Sequence, residues 1–324
     1  MEEPRIILTD YLRTNMDLSW KYAAQMGIRH AVVRVPEEGF ELTSSSDWKS
    51  LKELYGKNGF VPCVVEPVPE DIYRHIKEGD ADRDRSIDRF IQMIAILDKL
   101  NIRIICANFM AFIGWFRTGS RPRERGGAIV TEFVHEDCRD AFPIRISEEE
   151  LWNNLRYFIE AVAPELEKHQ VKLAFHPDDP PLRQIKDVRR ILISKENIDK
   201  MLQLHPSPMI GLTLCQGCFG AMGESIAEMI YHYGKQNKIF FVHFRDIRGN
   251  KEAFCETFHD NGQTDMAEVI RAYKKIGYSG PIRVDHVPTM AGEADGRPGY
   301  GTLGRLYAVG YLKGLLDASN YRYI

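Results

Sequence analysis

The segment LTLCQGC (212–218) places Cys215 and Cys218 three positions apart at the end of an apolar run. This spacing suits a redox dithiol, half of a zinc knuckle, or one functional thiolate beside a cysteine without a chemical role. A zinc knuckle needs a second cysteine pair at matching spacing, and the other four cysteines form none. A redox pair needs both sulfurs at the start of a helix in a thioredoxin-like fold, which the strand pattern below excludes. We therefore expect one functional thiolate, Cys215, and a bystander, Cys218.

Four residues of metal-ligand type end four consecutive apolar runs. They are His176, Cys215, His243 and Asp285. Taken singly, each has an ordinary structural explanation: a strand-ending histidine is usually a satisfied polar residue, a lone cysteine a small buried hydrophobe, and an aspartate a turn cap. Side chains at the ends of consecutive barrel strands can converge on one side of the barrel mouth. Their joint position therefore favours a metal site.

The elements that must position these residues are eight short runs rich in Val, Ile and Phe. They cover residues 5–8, 30–35, 61–67, 103–109, 171–177, 209–215, 238–246 and 281–286. Each run is continuously apolar, as expected for parallel strands that are buried on both faces.

Helical patterns follow the strands. They cover residues 20–27, 47–59, 82–101, 147–170, 194–204, 225–235, 264–277 and 302–316. Asp47 is the expected cap of the second helix, and Ser147 with Glu150 forms a capping box for the fourth. Eight strand–helix units of roughly 40 residues each predict a single (β/α)₈ TIM barrel that spans residues 1–324 as one domain.

Residues 110–146 form a long connection between the fourth strand and its helix. The segment contains GWFRTGSRPRERGG and is rich in Gly, Arg and aromatic residues. Long loops in compact domains are usually functional or disordered. We expect a lid or a subunit contact.

Composition restricts the possible partners and location. The formal charge is −3 over 324 residues, and no basic patch with interleaved aromatic residues occurs, which argues against nucleic-acid and membrane-surface binding. The acidic start lacks the pattern of a signal peptide, and no apolar run approaches the ~20 residues of a membrane span. Six scattered cysteines are typical of reduced thiols. We expect a cytoplasmic enzyme.

Several motifs give the chain a family resemblance. In order they are NFM-x₄-W-x-RT (108–118), FHPDDPP (175–181), T-x-C-x-G (213–217), HFR (243–245), N-G-x-x-D-M (261–266), RVDH (283–286) and PGY with GRL (298–306). Together they resemble the mannonate dehydratases, which are sugar-acid dehydratases of the xylose isomerase-like barrel superfamily. The resemblance covers most of the chain and is strongest from about residue 170 onward.

The resemblance implies a hydro-lyase of hexuronate catabolism that converts D-mannonate to 2-keto-3-deoxy-D-gluconate. It implies a divalent ion, usually Mn²⁺, held by the four strand-end residues, and His286 with Tyr300 as the acid/base pair. We place Tyr300 near C2 and His286 near the leaving hydroxyl. Because a mixed N/O/S ligand set does not select sharply, Fe²⁺, Co²⁺ and Zn²⁺ are alternatives to Mn²⁺. A homo-oligomer, preferably a dimer, is expected.

Substrate contacts are assigned from residue chemistry. Arg245 and Arg283 are candidates for the substrate carboxylate because a guanidinium can bind it bidentately. Either could instead form an ion pair with a carboxylate of the chain: Asp178, Asp179 or Asp246. The expected contacts to sugar hydroxyls are Asn108, His259 and Asn261.

The amino-terminal third departs from the family pattern, as in LTDYLR (8–13) and VRVP (33–36). Ala107, Gly114 and Gln263 also replace residues that are usual in the family. A dehydratase for a different aldonate is therefore one alternative. A metal-dependent sugar isomerase or epimerase is another, and a non-catalytic sugar-binding barrel is a third.

Overall fold

The computed structural model describes residues 5–36, 38–121, 123–138, 145–293 and 298–324. Within these residues the chain forms fourteen strands. In order they are β1 (Ile7–Arg13), β2 (His30–Arg34), β3 (Val61–Val65), β4 (Ile104–Ala107), β5 (Gly119–Arg121), β6 (Val130–Val134), β7 (Lys172–Phe175), β8 (Gln184–Ile185), β9 (Val188–Arg189), β10 (Ile210–Cys215), β11 (Ile239–Phe244), β12 (Ile247–Asn250), β13 (Ala253–Glu256) and β14 (Pro281–Val284).

Eight of these strands close into a parallel barrel in the order β1-β14-β11-β10-β7-β4-β3-β2. Each corresponds to one of the eight predicted apolar runs, so the predicted TIM barrel is confirmed. Strands β10 and β11 are buried at every position, as expected for parallel strands covered on both faces. The register pairs Cys215 with His243, and His243 with Arg283. Residues from neighbouring strands therefore meet at one end of the barrel.

The first strand extends beyond the predicted residues 5–8, because β1 continues to Arg13. Its buried polar residues Thr9 and Asp10 both have long-range hydrogen-bond partners. The Thr9 hydroxyl donates to the carbonyl of Ile282 at 2.9 Å, and Arg305 donates to a carboxylate oxygen of Asp10 at 3.1 Å. Because long-range partners pair these polar groups, the strand continues where the local sequence suggests that it ends.

Ten α-helices surround the barrel among the described residues. They are α1 (Leu18–Gln25), α2 (Ser45–Lys57), α3 (Glu70–Glu78), α4 (Arg83–Lys99), α5 (Glu148–His169), α6 (Lys195–Leu204), α7 (Gln216–Met222), α8 (Ile226–Gly234), α9 (Met266–Lys275) and α10 (Thr302–Ala318). The capping box of α5 is confirmed, with both of its hydrogen bonds present. The cap of α2 is Ser44, whose hydroxyl accepts from the backbone N–H of Asp47; the expectation that Asp47 is the cap was wrong. Helices α3 and α7 were not predicted.

The long connection after β4 carries secondary structure of its own. Strands β5 and β6 pair with β13 and β12, which follow β11, in an antiparallel sheet of order β12-β13-β6-β5. We call these four strands the insertion sheet. Residues 122 and 139–144 of the predicted loop lie outside the described residues. A role as lid or subunit contact stays a prediction, as does the assignment of residues 1–324 to one domain.

No helix among the described residues is both long and apolar enough to cross a membrane.

Candidate metal centre and active site

The four residues predicted as metal ligands lie together at the carboxyl ends of the barrel strands. Cys215 ends β10, His243 lies in β11, and His176 and Asp285 directly follow β7 and β14. Donor atoms of Cys215, His243 and Asp285 lie within 4.8 Å of one another. His176 Nε2 lies 3.1 Å from His243 Nδ1. The cluster can hold one cation between two imidazoles, a sulfur and a carboxylate.

The surroundings of the two imidazoles direct a nitrogen of each toward this point. His176 Nδ1 lies 2.6 Å from the carbonyl oxygen of Pro177, which only accepts, so Nδ1 carries the proton and Nε2 a lone pair. His243 Nε2 lies 3.0 Å from Oε1 of Glu66, an ion-pair distance, although its N–H is not aligned for a hydrogen bond. Two lone pairs 3.1 Å apart repel, so a proton or a cation must lie between these rings. The donor set therefore suits a divalent cation.

Charged neighbours modify the protonation of His243. Burial and the guanidinium of Arg283 disfavour its imidazolium, but Glu66 and Asp285 outweigh them and raise the pKa of His243 well above its usual range. Burial opposes ionisation of Glu66 too, yet Arg283 and His243 hold the pKa of that carboxyl below its ordinary value. Glu66 is thus an anion that faces the non-metal side of His243. A metal at the cluster would have to displace the proton that His243 otherwise retains.

Cys215 and Cys218 form an unequal pair. Burial opposes ionisation of both, but an S–H donated by Cys218, together with Arg245 and His176, lowers the pKa of Cys215 well below its usual range. Burial and the Cys215 sulfur raise the pKa of Cys218. Arg245 Nη1 lies 3.4 Å from the Cys215 sulfur and 3.6 Å from that of Cys218. Cys215 is therefore the thiolate and Cys218 the thiol.

Gln216 and Gly217 do not form a turn after β10, because both belong to α7. Cys215 caps this helix and Cys218 lies in its first turn. The helix start that a redox pair needs is therefore present, although the surrounding fold is a barrel. Cys218 also lies next to the cluster, since its sulfur is within 4.8 Å of donor atoms of both His176 and Cys215. This position is closer than we expect for a cysteine without a chemical role.

The predicted acid/base residues are neighbours. Tyr300 OH lies 3.3 Å from His286 Nε2, and the rings are edge-on at 5.5 Å. His286 has a φ of 42°, a left-handed conformation that a non-glycine residue rarely adopts. The Trp115 ring also packs against the imidazole, with ring centroids 5.1 Å apart. The imidazole therefore contacts both an indole and a phenol.

The two arginines considered for the substrate carboxylate are both paired within the protein. Arg245 donates to Asp179 at 2.8 Å and to both oxygens of Glu256 at 2.7 and 2.8 Å, and it is buried. Arg283 donates to Glu66 at 3.0 Å and to Asp285 at 2.7 Å. Both arginines therefore form ion pairs within the chain, as the alternative prediction states. Of their carboxylate partners, Asp179 is the one that was considered from the sequence.

A cavity of about 360 Å³ opens beside the cluster. Its walls include Tyr11, Arg34, Glu66, Glu70, Asn108, Trp115, His176, Asp179, His243, Arg283, Asp285, His286 and Tyr300. His176, His243 and Asp285 therefore share one cavity with the acid/base pair, Asn108 and Arg283. Cys215 does not line this cavity. Sequence reasoning did not select Tyr11, Arg34 or Glu70, which come from β1, β2 and the start of α3. Trp115 was visible only as part of the NFM-x₄-W-x-RT motif.

His259, Asn261 and Arg245 do not line this cavity. His259 Nε2 donates to the carbonyl of Phe244 at 2.7 Å, and burial lowers its pKa to about 4, so the ring is neutral. The Asn261 amide donates to Glu124 at 2.7 Å. These contacts hold the connection after β13 against the barrel.

The fold and site together define an α/β-barrel enzyme with a cluster of residues of metal-ligand type at the carboxyl ends of its strands. A sequence profile of the family described as D-mannonate dehydratase (UxuA) matches residues 14–145 and 142–323. The mannonate dehydratase of Thermotoga petrophila is 36% identical, with 83% of this chain and 84% of that protein covered. Mannonate dehydratase 2 of Halalkalibacterium halodurans is 34% identical, with 83% and 86% covered.

Solved structures agree with the sequence comparisons. The crystal structure of mannonate dehydratase from Streptococcus suis serotype 2 superimposes with a TM-score of 0.89 at 27% identity, over 99% of this chain and 97% of that one. A xylose isomerase domain protein from Alicyclobacillus acidocaldarius gives a TM-score of 0.63 at 14% identity, over 97% and 99% of the two chains, which shows a shared fold alone. The chain belongs to the mannonate dehydratase family and is a hydro-lyase. The isomerase alternative has fold-level likeness only.

Proposed function

We propose that this protein dehydrates a sugar acid, most simply D-mannonate to 2-keto-3-deoxy-D-gluconate and water. The observation that carries the proposal is that His176, His243 and Asp285 of the donor cluster line the same cavity as the His286–Tyr300 pair. A sugar acid held at the cluster by its carboxylate would present its C2 and C3 to that pair. The names of the sequence relatives support the same substrate.

The proposed metal ligands are His176, Cys215, His243 and Asp285. A divalent cation held there supplies positive charge that stabilises the substrate carboxylate as negative charge develops on it. We propose Mn²⁺ on the family resemblance, with Fe²⁺, Co²⁺ and Zn²⁺ as alternatives to be tested by metal content and reconstitution.

The proton transfers are assigned to two side chains. Tyr300 OH donates its proton to His286 Nε2 across the 3.3 Å contact, which gives a phenolate and an imidazolium. The phenolate removes the proton from C2, and the imidazolium protonates the 3-hydroxyl as the C3–O bond breaks. Water leaves, and the resulting enol becomes the 2-keto acid. One proton enters the pair from C2 and one leaves it in water, so the pair returns to its starting state.

The substrate hydroxyls have several polar partners in the cavity. We propose Asn108 and the indole N–H of Trp115 as contacts, since that N–H has no hydrogen-bond partner among the described residues. Arg283 contributes by its positive charge and by its hydrogen bond to Asp285. Its guanidinium does not bind the substrate carboxylate bidentately. Arg34 and Tyr11, whose side chains are 3.2 Å apart, border the far part of the cavity.

A panel of aldonates tests the reaction. Purified protein with Mn²⁺ is incubated with D-mannonate, its epimers and free sugars, and 2-keto-3-deoxy acids are detected with a carbonyl-specific reagent. We expect product from D-mannonate and at least a tenfold lower kcat/KM for its epimers, because one misplaced hydroxyl leaves cavity groups unpaired. Isomerised ketose from free sugars without any keto-deoxy acid would contradict the proposal.

Glu66→Gln is expected to weaken metal binding by about 10- to 100-fold. The substitution removes the negative charge that faces His243 Nε2. It also leaves Arg283 in an ion pair with Asp285 alone. Isothermal titration of the metal-free protein with Mn²⁺ measures the change. Glu70→Gln is the matched control, because Glu70 lines the same cavity but pairs with Lys77. Equal affinities for wild type and Glu66→Gln would exclude this role.

The setting of the enzyme is also a proposal. We propose a cytoplasmic homodimer that acts in hexuronate catabolism and binds neither nucleic acid nor membrane. The net charge of −3 and six free cysteines among the described residues support this setting. Size-exclusion chromatography with light scattering tests the dimer.

A further inference from the structure

Glu256 is a buried carboxylate that the chemistry above does not use. It ends β13 in the insertion sheet rather than a barrel strand, and it is fully buried. Its strand pairs with β12 on one side and with β6 on the other. The insertion sheet thus carries an acidic side chain down to the barrel mouth.

Three cationic or proton-donating groups surround this carboxylate. Oε1 accepts from Arg245 Nη2 and from Arg117 Nη2, both at 2.7 Å, and lies 3.2 Å from His286 Nδ1. Oε2 accepts from Arg245 Nε at 2.8 Å. For His286 Nδ1, the carboxylate of Asp285 is farther away, at 3.8 Å. Glu256 is therefore the closer carboxylate for that ring nitrogen.

The charges in this network balance without His286. Arg117 and Arg245 supply two positive charges, and Asp179 and Glu256 supply two negative ones. All four side chains are at most 4% exposed. The charges of these four side chains therefore cancel, and His286 Nδ1 borders them at 3.2 Å from Oε1 of Glu256.

The imidazole needs an orienting partner on its Nδ1 side. Its Nε2 must face Tyr300 for the proposed proton transfer, and its backbone has the left-handed φ of 42°. Trp115 and Tyr300 restrict the ring by packing but do not determine which nitrogen carries the proton. A carboxylate at Nδ1 fixes both the tautomer and the orientation of a catalytic imidazole.

We propose that Glu256 is the positioning residue of His286. Its carboxylate accepts the hydrogen bond of the protonated Nδ1, so that Nε2 can exchange protons with Tyr300 and the substrate. This inference rests on the proposed function, because it assigns a task to His286. Nδ1 of His286 lies 3.2 Å from Oε1 but makes no hydrogen bond among the described residues, and we expect the contact to align when substrate binds. When His286 becomes an imidazolium, Glu256 stabilises the added charge. The insertion sheet is then part of the catalytic apparatus and not only a cover.

Glu256→Gln tests the proposal by its kinetic pattern. We expect kcat for D-mannonate to fall by about 100-fold or more, with KM and Mn²⁺ affinity each within about threefold of wild type. Removing the negative charge destabilises the imidazolium but leaves the metal ligands untouched. Loss of metal affinity in parallel with kcat would overturn the assignment in favour of a structural ion pair.

Glu132→Gln is the matched control. Glu132 lies on the neighbouring strand β6, is equally buried, and pairs with Arg121 and Arg123 instead of His286. We expect unchanged kcat for this variant. A double-mutant cycle with His286→Gln completes the comparison: Glu256→Gln should have no further effect once His286 is absent. Additive losses in the cycle would overturn the proposal.

A measurement without turnover separates this proposal from the proposed function. ¹⁵N spectra of histidine-labelled wild-type protein, with the His286 signal identified by its absence in His286→Gln, report which ring nitrogen carries the proton. We expect the proton on Nδ1. A proton on Nε2 would overturn the positioning role even if Glu256→Gln failed to fold. A Nδ1 proton in a protein that dehydrates no aldonate would overturn the proposed function alone.

Discussion

Tyr300→Phe is expected to lower kcat for D-mannonate by about 10²- to 10⁴-fold, with Mn²⁺ affinity unchanged. The phenol is the assigned base for the C2 proton, and its oxygen lies 3.3 Å from His286 Nε2. Phenylalanine keeps the ring that packs on His286 and Tyr11 and removes only the oxygen. Steady-state kinetics with D-mannonate, together with Mn²⁺ titration of the metal-free variant, measure both quantities.

Deuterium exchange at C2 gives the variant a diagnostic signature. If Tyr300 removes this proton, Tyr300→Phe loses exchange of C2–H with solvent as well as dehydration, whereas loss of the acid alone would spare exchange. His286→Gln removes the proposed acid and also the group that accepts the Tyr300 proton, so exchange should fall and dehydration should fall further. If Tyr300→Phe kept more exchange than His286→Gln, His286 would be the base and Tyr300 the acid. Tyr307→Phe, at an exposed tyrosine bonded to Asp260, is a control that should match wild type.

The sequence predicts the barrel because the pattern of each barrel strand depends on neighbouring residues in the sequence. Buried parallel strands are continuously apolar, and the turn after each strand carries the polar groups that line the mouth. His176, Cys215, His243 and Asp285 therefore appear at strand ends as soon as the strands are recognised. The same rule applies to Glu66 and Asn108, which directly follow β3 and β4, although it cannot assign Glu66 to His243.

The remaining features depend on contacts between distant residues. The fold brings Arg117, from the connection after β4, to Glu256, from the connection after β11, and Arg117 donates to Asp179 as well. No local pattern relates positions 117, 179 and 256. The sequence could therefore offer two fates for Arg245, a substrate contact or an ion pair, without choosing between them. The choice depends on which carboxylate the folded chain places beside the guanidinium.

Short or internally satisfied elements were missed for a related reason. Helix α7 has seven residues, too few for an apolar period to emerge, and it begins directly after a strand. The polar residues of β1 interrupt the apolar pattern but find partners in β14 and α10. In both places tertiary contacts decide a structure that local preference leaves undecided.

Cys215→Ala is expected to weaken Mn²⁺ binding by at least about 100-fold, whereas Cys218→Ala should weaken it by less than about tenfold. Cys215 supplies the thiolate of the cluster, and Cys218 only donates a hydrogen bond to that thiolate, so removing the donor leaves the ligand in place. Cys218→Ser restores a donor and should bind metal like wild type. The comparison thus separates a ligand from its hydrogen-bonding neighbour.

Co²⁺ substitution adds a readout that does not depend on turnover. A cobalt–thiolate bond gives a charge-transfer band in the near ultraviolet, which Cys215→Ala should abolish and Cys218→Ala should retain at full intensity. Equal loss of affinity from both alanine variants, with half of the band retained in each, would mean that both sulfurs bind the metal. The ligand set would then be thiolate-rich, and the preference for Mn²⁺ would no longer hold, because two soft ligands favour Zn²⁺.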